Sequence, residues 1–239
     1  MLNLFTIIET EQEDVNHVIS ELTSYCDSCR LSLLHPKNSG FLFRGNPLSS
    51  MAVIYMAPRD AETERGVALI GGQGRLFERW CSFLKLDSKK DMFILPVIHC
   101  QPEKVPDKQG DTVQREPDKT EISSCFGPKT LRVLRAMPNL EVIMLVGWNV
   151  CDVFLGVENG KSGYKANGGQ WFETSLLPGI PVFCMQDLLW QTNPASETKD
   201  AVIENWLTYF GREYLELDMI KPLAKQAQQK REEQGRGLL

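Results

Sequence analysis

The sequence predicts an α/β protein of three layers, α/β/α, around a central, mostly parallel four-stranded sheet. Three observations predict it. Four short, almost wholly apolar runs stand at 51–56, 91–98, 140–146 and 180–185, the pattern of strands buried on both faces. Helix-forming segments lie between and around them, which is the alternation of a parallel sheet with crossover helices. The 239 residues are 42% hydrophobic and 24% charged, ordinary globular composition for one sizeable core.

The elements follow in order. Val15, Val18, Ile19 and Leu22 repeat at helical spacing, so 11–25 reads as an amphipathic helix running into Cys26. The stretch 30–50 is loop-rich, with His35-Pro36 and Gly45-Asn46-Pro47. After the first apolar run come Ala57-Pro58, then Gly71-Gly72-Gln73-Gly74 opening a helix through Leu84. That glycine loop fits neither a Walker loop nor a Rossmann fingerprint, although a helix N-terminus there would suit a phosphate. The polar stretch 101–124 has no periodicity and reads as a long loop. Helices are expected at 126–136, from 149 and at 198–215, with a glycine-rich loop at 160–169. Residues 1–220 read as one domain and 221–239 as a charged tail.

The net charge is −5, which argues against a strong nucleic-acid clamp. Its distribution is uneven. Residues 1–24 carry Glu9, Glu11, Glu13, Asp14 and Glu21 and no Lys or Arg, so the remainder is neutral, and the tail is locally basic. No apolar run approaches the ~18–20 residues of a membrane span. The apolar start, 1–8, is short, lacks a basic flank and runs into acids, unlike a secretory signal.

Seven cysteines, an odd count without such a signal, point to a reducing, cytoplasmic setting. Cys26-Asp27-Ser28-Cys29 places two thiols where they can reach one metal centre. By itself this spacing fits a redox pair, half a zinc site or two of four cluster ligands. Cys81, Cys151 and Cys184 sit among apolar residues and read as ordinary buried thiols.

The ordered segments Cys26-Asp-Ser-Cys29-Arg-Leu, Gly45-Asn46-Pro47, Ala57-Pro58, Gly71-Gly-Gln-Gly74-Arg-Leu, Ile98-His-Cys100-Gln-Pro102, Glu121-Ile-Ser-Ser-Cys125 and Val142-Ile-Met-Leu-Val-Gly147 carry a resemblance. Over roughly residues 22–210 the chain resembles the uracil-DNA glycosylase superfamily, in its iron–sulfur branch (family 4). The resemblance implies that fold and a 4Fe-4S cluster held by Cys26, Cys29, Cys100 and Cys125, with zinc in the same thiolates as the alternative. The 24 residues between Cys100 and Cys125 exceed the family's usual gap, which loop-closure entropy tolerates.

The excision motifs depart from the family. Its Gly-Glu-Ala-Pro-Gly is here Tyr55-Met56-Ala57-Pro58-Arg59, so the water-positioning carboxylate is Met56, and Tyr55 and Arg59 would crowd an open space. The base-stacking phenylalanine aligns with Leu69 and the base-reading asparagine with Pro96, which has neither side-chain amide nor backbone donor. The late histidine falls at Gln186, and no histidine follows His99. Asp60 and Asp187 remain as catalytic candidates should the chain be active. Arg59, Arg75 and His99 are candidate DNA contacts. Trp148, Trp171 and Trp190 fall near strand ends, where clefts form.

The expectation is a non-catalytic, uracil-DNA-glycosylase-like iron–sulfur protein that binds DNA or a nucleoprotein partner in a larger assembly. The acidic N-terminal helix and basic tail would be docking surfaces. A DNA glycosylase with a pocket rebuilt for a modified or deaminated base is the alternative, and a purely structural protein-interaction subunit a third.

Overall fold

The computed structural model describes residues 13–29, 40–83, 86–157, 170–185 and 188. The expectations for Gln186, Asp187, Trp190, the 160–169 loop, the 198–215 helix and the 221–239 tail lie outside the described residues.

The chain opens with α1, Val15–Asp27, whose first backbone N–H groups are capped by the Asp14 carboxylate. Its buried stripe is Val15, Val18, Leu22 and Cys26. Then come β1 (Arg44–Gly45), β2 (Met51–Tyr55), the helices α2 (Asp60–Arg65) and α3 (Gly71–Phe83), and β3 (Met92–Pro96). A separate hairpin, β4 (Lys104–Pro106) and β5 (Thr112–Gln114), leads to α4 (Lys119–Cys125). A π-helical turn, Phe126–Leu131, continues into α5 (Arg132–Ala136), followed by β6 (Val142–Val146), α6 (Trp148–Leu155), β7 (Gln170–Glu173) and β8 (Pro181–Met185). Pro128 lies within the π turn; without an N–H it cannot continue an α-helical ladder there.

The main sheet has six strands in the order β1-β3-β2-β6-β8-β7. The four expected apolar runs form its centre and pair in parallel, β3 on β2, β2 on β6 and β6 on β8. The four-strand expectation therefore falls short by two edges, β1 and β7, which pair antiparallel. Both are short, four residues or fewer, and neither carries a long apolar signal. The 101–124 stretch, expected as a loop, contains the hairpin and the start of α4; its strands are largely exposed, so no burial pattern marks them.

Side chains alternate across the sheet. Ala52, Ile54, Phe93, Leu95, Ile143 and Leu145 face one way, into a core shared with α1, α5 and α6. Met51, Val53, Tyr55, Met92, Ile94 and Met144 face the other way, against Leu76, Phe77 and Cys81 of α3. Helices thus cover both faces, and among the described residues none is long and apolar enough to cross a membrane. Cys151 of α6 and Cys184 of β8 form a disulfide, which corrects their reading as free thiols; Cys81 is free and buried. Arg132 of α5 pairs with both Glu13 and Glu21, so two acids of the N-terminal segment tie α1 to α5.

The glycine loop has a packing role. A Cβ on Gly74 would collide with the Leu69 backbone carbonyl, so only glycine lets α3 approach that turn. Leu69 itself has φ 49, the only positive value on a non-glycine residue among those described. Gly74→Ala should therefore lower stability by about 1–3 kcal/mol, read as a drop in melting temperature; an unchanged melt would mean that α3 can slide away freely.

Candidate functional site

All four central strands end on the same side, so the segments after them share one edge: Met56 after β2, Val97 after β3 and Gly147 after β6. The β2–β3 pairing continues past the strands, with Val97 N–H donating to Tyr55 O at 2.7 Å and Ile98 N–H to Met56 O at 3.1 Å. This carries His99 and Cys100 to that edge. The Gly45-Asn46-Pro47 loop goes to the opposite one, beside the start of β3, where Asn46 N–H donates to Met92 O at 3.0 Å.

The cysteines of the sequence reading converge. Cys26 ends α1, Cys29 follows its C-cap, Cys100 follows β3 and Cys125 ends α4; all four are buried. Their sulfurs lie in one electrostatic neighbourhood: Cys125 and Cys29 act on Cys26, and Cys125, Cys26 and Cys29 act on Cys100. Burial pushes the Cys26 thiol up to about 11 and Cys100 up to about 12, and raises Cys125 as well. Cys125 Sγ accepts from His99 N–H at 3.4 Å and Cys29 Sγ from Lys129 Nζ at 3.3 Å, and Lys129 also hydrogen-bonds to Cys26 and Cys125.

Sequence reasoning missed Lys129. It lies on the π turn four residues after Cys125 and is fully buried. Burial opposes its charge, but the sulfurs of Cys125, Cys26 and Cys29 outweigh burial and raise its pKa. Its ammonium also lies 5.6 Å from the Tyr25 ring centroid. The one available signal was its spacing from Cys125.

His99 corrects an expectation. It was read as facing DNA, yet it is fully buried and stacks on Phe41 at 4.2 Å between centroids. Its Nδ1 accepts from Leu42 N–H at 3.0 Å, which leaves the proton on Nε2, 3.2 Å from Thr130 Oγ1. The Thr130 hydroxyl in turn donates to Pro96 O at 2.7 Å. Burial holds His99 down at about 3, so the ring is neutral at physiological pH. It is a structural relay between the 41–43 segment and the π turn.

The positions aligned with excision chemistry are packed. Leu69 is 1% exposed, Pro96 lies within buried β3, and Met56 is half-buried. Tyr55 is buried, and its hydroxyl accepts from Leu69 N–H at 3.4 Å. A buried carboxylate, Glu62, ties this corner together: it accepts from Leu69 N–H at 2.6 Å and Arg59 N–H at 2.9 Å, and from the Tyr55 hydroxyl. Asp60 is engaged by the hairpin, accepting from Gln101 Nε2 at 3.0 Å and pairing with Lys104, while Gln114 Nε2 donates to Pro58 O at 3.0 Å. The hairpin therefore straps the Pro58–Asp60 turn. Of the candidate DNA contacts, Arg75 is exposed at the start of α3 and Arg59 is partly exposed.

A cleft of about 430 Å³ opens beside Met56, at the point where the chain, having placed β3 on one side of β2, places β6 on the other. Clefts at such switch points are where open α/β sheets take ligands. Trp148, Phe126 and Ile122 give it apolar walls, and Glu116, Asn149 and Asp152 give it polar ones. Asn149 Nδ2 donates to Glu116 Oε2 at 2.8 Å. The side chain of Trp171 is outside the described set.

The donor chemistry of the four cysteines suits a thiolate-ligated cluster, since soft sulfur ligands with N–H donors to sulfur are its ordinary surroundings. Among the described residues, no three His, Cys, Asp or Glu side chains are gathered closely enough to hold a metal ion as they stand. The chain matches no protein family model, and no curated protein is similar to it.

Because burial is the main cause of the raised Glu62 pKa, this group contributes most below its unfolded value and less as pH rises through its folded one. Glu62→Gln should cost about 1–3 kcal/mol through unsatisfied backbone donors. The stability gap to wild type should be wider at pH 5 than at pH 8 in paired melts.

Proposed function

We propose that this chain is a uracil-DNA-glycosylase-like iron–sulfur protein that no longer excises bases and instead binds DNA, or a nucleoprotein partner within a larger assembly. The observation that carries this reading is the convergence of Cys26, Cys29, Cys100 and Cys125, distant in sequence, into one buried neighbourhood. Those residues would hold the cluster, which supplies a rigid four-point staple and a one-electron centre when bound.

The loss of excision is supported by what fills the corner. Excision needs a group that orders water and groups that read and stabilise the leaving base. Met56 supplies no acceptor of that kind, Leu69 and Pro96 are committed to packing, and Asp60 is occupied by Gln101 and Lys104. With a net charge of −5, DNA contact would be confined to a local patch such as that around Arg75.

The second reading, a glycosylase rebuilt for a modified base, is favoured by the switch-point cleft, where Trp148 and Phe126 offer stacking surface and Glu116 and Asp152 offer carboxylates.

The test uses the full chain reconstituted with iron and sulfide under reducing conditions. It should take up iron with the broad visible absorbance of a 4Fe-4S centre, and Cys100→Ala should lose both iron and thermal stability. Metal analysis after purification separates iron from zinc. Against single- and double-stranded DNA carrying uracil and a panel of deaminated bases, no base should be released. Binding should weaken with salt, and Arg75→Ala should reduce the slope of log K against log salt by about 1. Base release would establish the second reading. Iron-loaded protein with neither base release nor salt-sensitive binding would leave only protein contacts.

A further inference from the structure

Two helices flank the switch-point cleft, and each turns one face toward it. On α4 and the π turn that face carries Lys119, Ile122 and Phe126, spaced i, i+3 and i+7. On α6 it carries Trp148 and Asp152, spaced i and i+4. The volume of about 430 Å³ falls within the range of small-molecule sites, about 300–1,000 Å³.

The lining sorts into two kinds of surface. Trp148, Phe126, Ile122 and Met56 supply apolar and aromatic area, which suits a flat ring. The polar groups are weighted toward negative charge. Glu116 and Asp152 both line the cleft, and Asp152 is only 4% exposed, so solvent screens its field little. The C-terminal end of α6 reaches the lining at Gly156, and that end of a helix carries partial negative charge. Lys119 opposes them from the exposed start of α4, and two carboxylates with a helix C-terminus outweigh it. Trp148 adds the negative face of an indole, the best aromatic partner for a cation.

The rim is fixed before any ligand arrives. Asn149 Nδ2 donates to Glu116 Oε2 at 2.8 Å, which joins α6 to the segment before α4. The neighbouring Arg115 grips both carboxylate oxygens of Glu121, at 2.7 and 2.6 Å. A carboxylate held in this way loses less freedom on binding than a loose one.

We propose that the cleft binds a flat organic cation: an aromatic ring bearing an amidinium, a guanidinium or a protonated amine, with the ring against Trp148 and the charged edge toward Glu116 and Asp152. The site is the cleft of the second reading above, but the inference concerns binding alone and does not depend on base release.

The experiment uses the full chain as purified, without DNA, and benzamidine as the probe. Benzamide is the neutral analogue of the same shape, and benzoate the anionic one. Cyclohexanecarboxamidine keeps the charge without the flat ring. Binding is read by calorimetry and by the change in tryptophan fluorescence. Benzamidine should bind saturably, about tenfold tighter than benzamide, because its hydrogen bonds to carboxylates are charge-assisted. Cyclohexanecarboxamidine should bind more weakly than benzamidine, and benzoate should show no saturable binding. Glu116→Gln keeps the side chain's size and an acceptor for Asn149. It should cut the preference for benzamidine over benzamide about fivefold and leave benzamide binding unchanged. Trp148→Leu should weaken both probes.

Benzamidine that does not bind saturably, or benzoate that binds as tightly, overturns the inference whatever the base-release assay shows. An unchanged preference in Glu116→Gln overturns it as well, and so does a folded Trp148→Leu chain that binds both probes like wild type. Should Trp148→Leu fail to fold, Glu116→Gln decides, since its side chain is exposed and its packing is preserved.

Discussion

Four parallel strands buried on both faces constrain everything else in this molecule. Parallel neighbours require crossovers, crossovers place helices over both faces, and the strands are left with no polar surface of their own. Polar chemistry is then confined to the strand ends. Because β2, β3, β6 and β8 share a direction, their C-terminal ends meet at one edge. His99 and Cys100 are at that edge because two backbone hydrogen bonds extend the β2–β3 pairing past Pro96. Cys125 and Lys129 are brought there by the helix-to-π-turn junction, which Thr130 fastens to the end of β3.

The same edge holds two different solutions for buried polar groups. Around Glu62 the solution is local: one carboxylate satisfies two backbone donors and a tyrosine hydroxyl, closing the corner beneath Leu69. Around Lys129 the partners are sulfurs, which are weak acceptors. Tyr55, Glu62 and Leu69 pack the first corner, and the hairpin straps Pro58 and Asp60 from outside.

What was legible in the sequence follows from how strongly burial marks a segment. The central strands announced themselves as apolar runs, and α1 as a stripe at helical spacing, because a two-sided or one-sided core dictates those patterns. The edges β1 and β7 and the β4–β5 hairpin did not, since short or exposed strands owe their pairing to partners that a local pattern cannot reveal. Spacing singled out Cys26 and Cys29 alone, and the resemblance added Cys100 and Cys125, which the fold buries as well. His99 was misread because a histidine beside a cysteine looks like a surface residue until Leu42, Phe41 and Thr130 are seen around it. Lys129 was missed for the same reason: lysine is taken as solvated unless tertiary structure removes the solvent.

The pairing of Cys151 with Cys184 separates the seven cysteines into groups with different physical work. One pair joins α6 to β8 across the sheet face, Cys81 of α3 fills core, and four buried thiols lie near the Lys129 ammonium. Desolvation alone disfavours thiolates, as the upward shifts of Cys26 and Cys100 record. An isolated ammonium in the same place is disfavoured equally. In this structure the buried Lys129 ammonium has those sulfurs as its partners, with Cys29 Sγ 3.3 Å from Nζ, and they outweigh the cost of its burial.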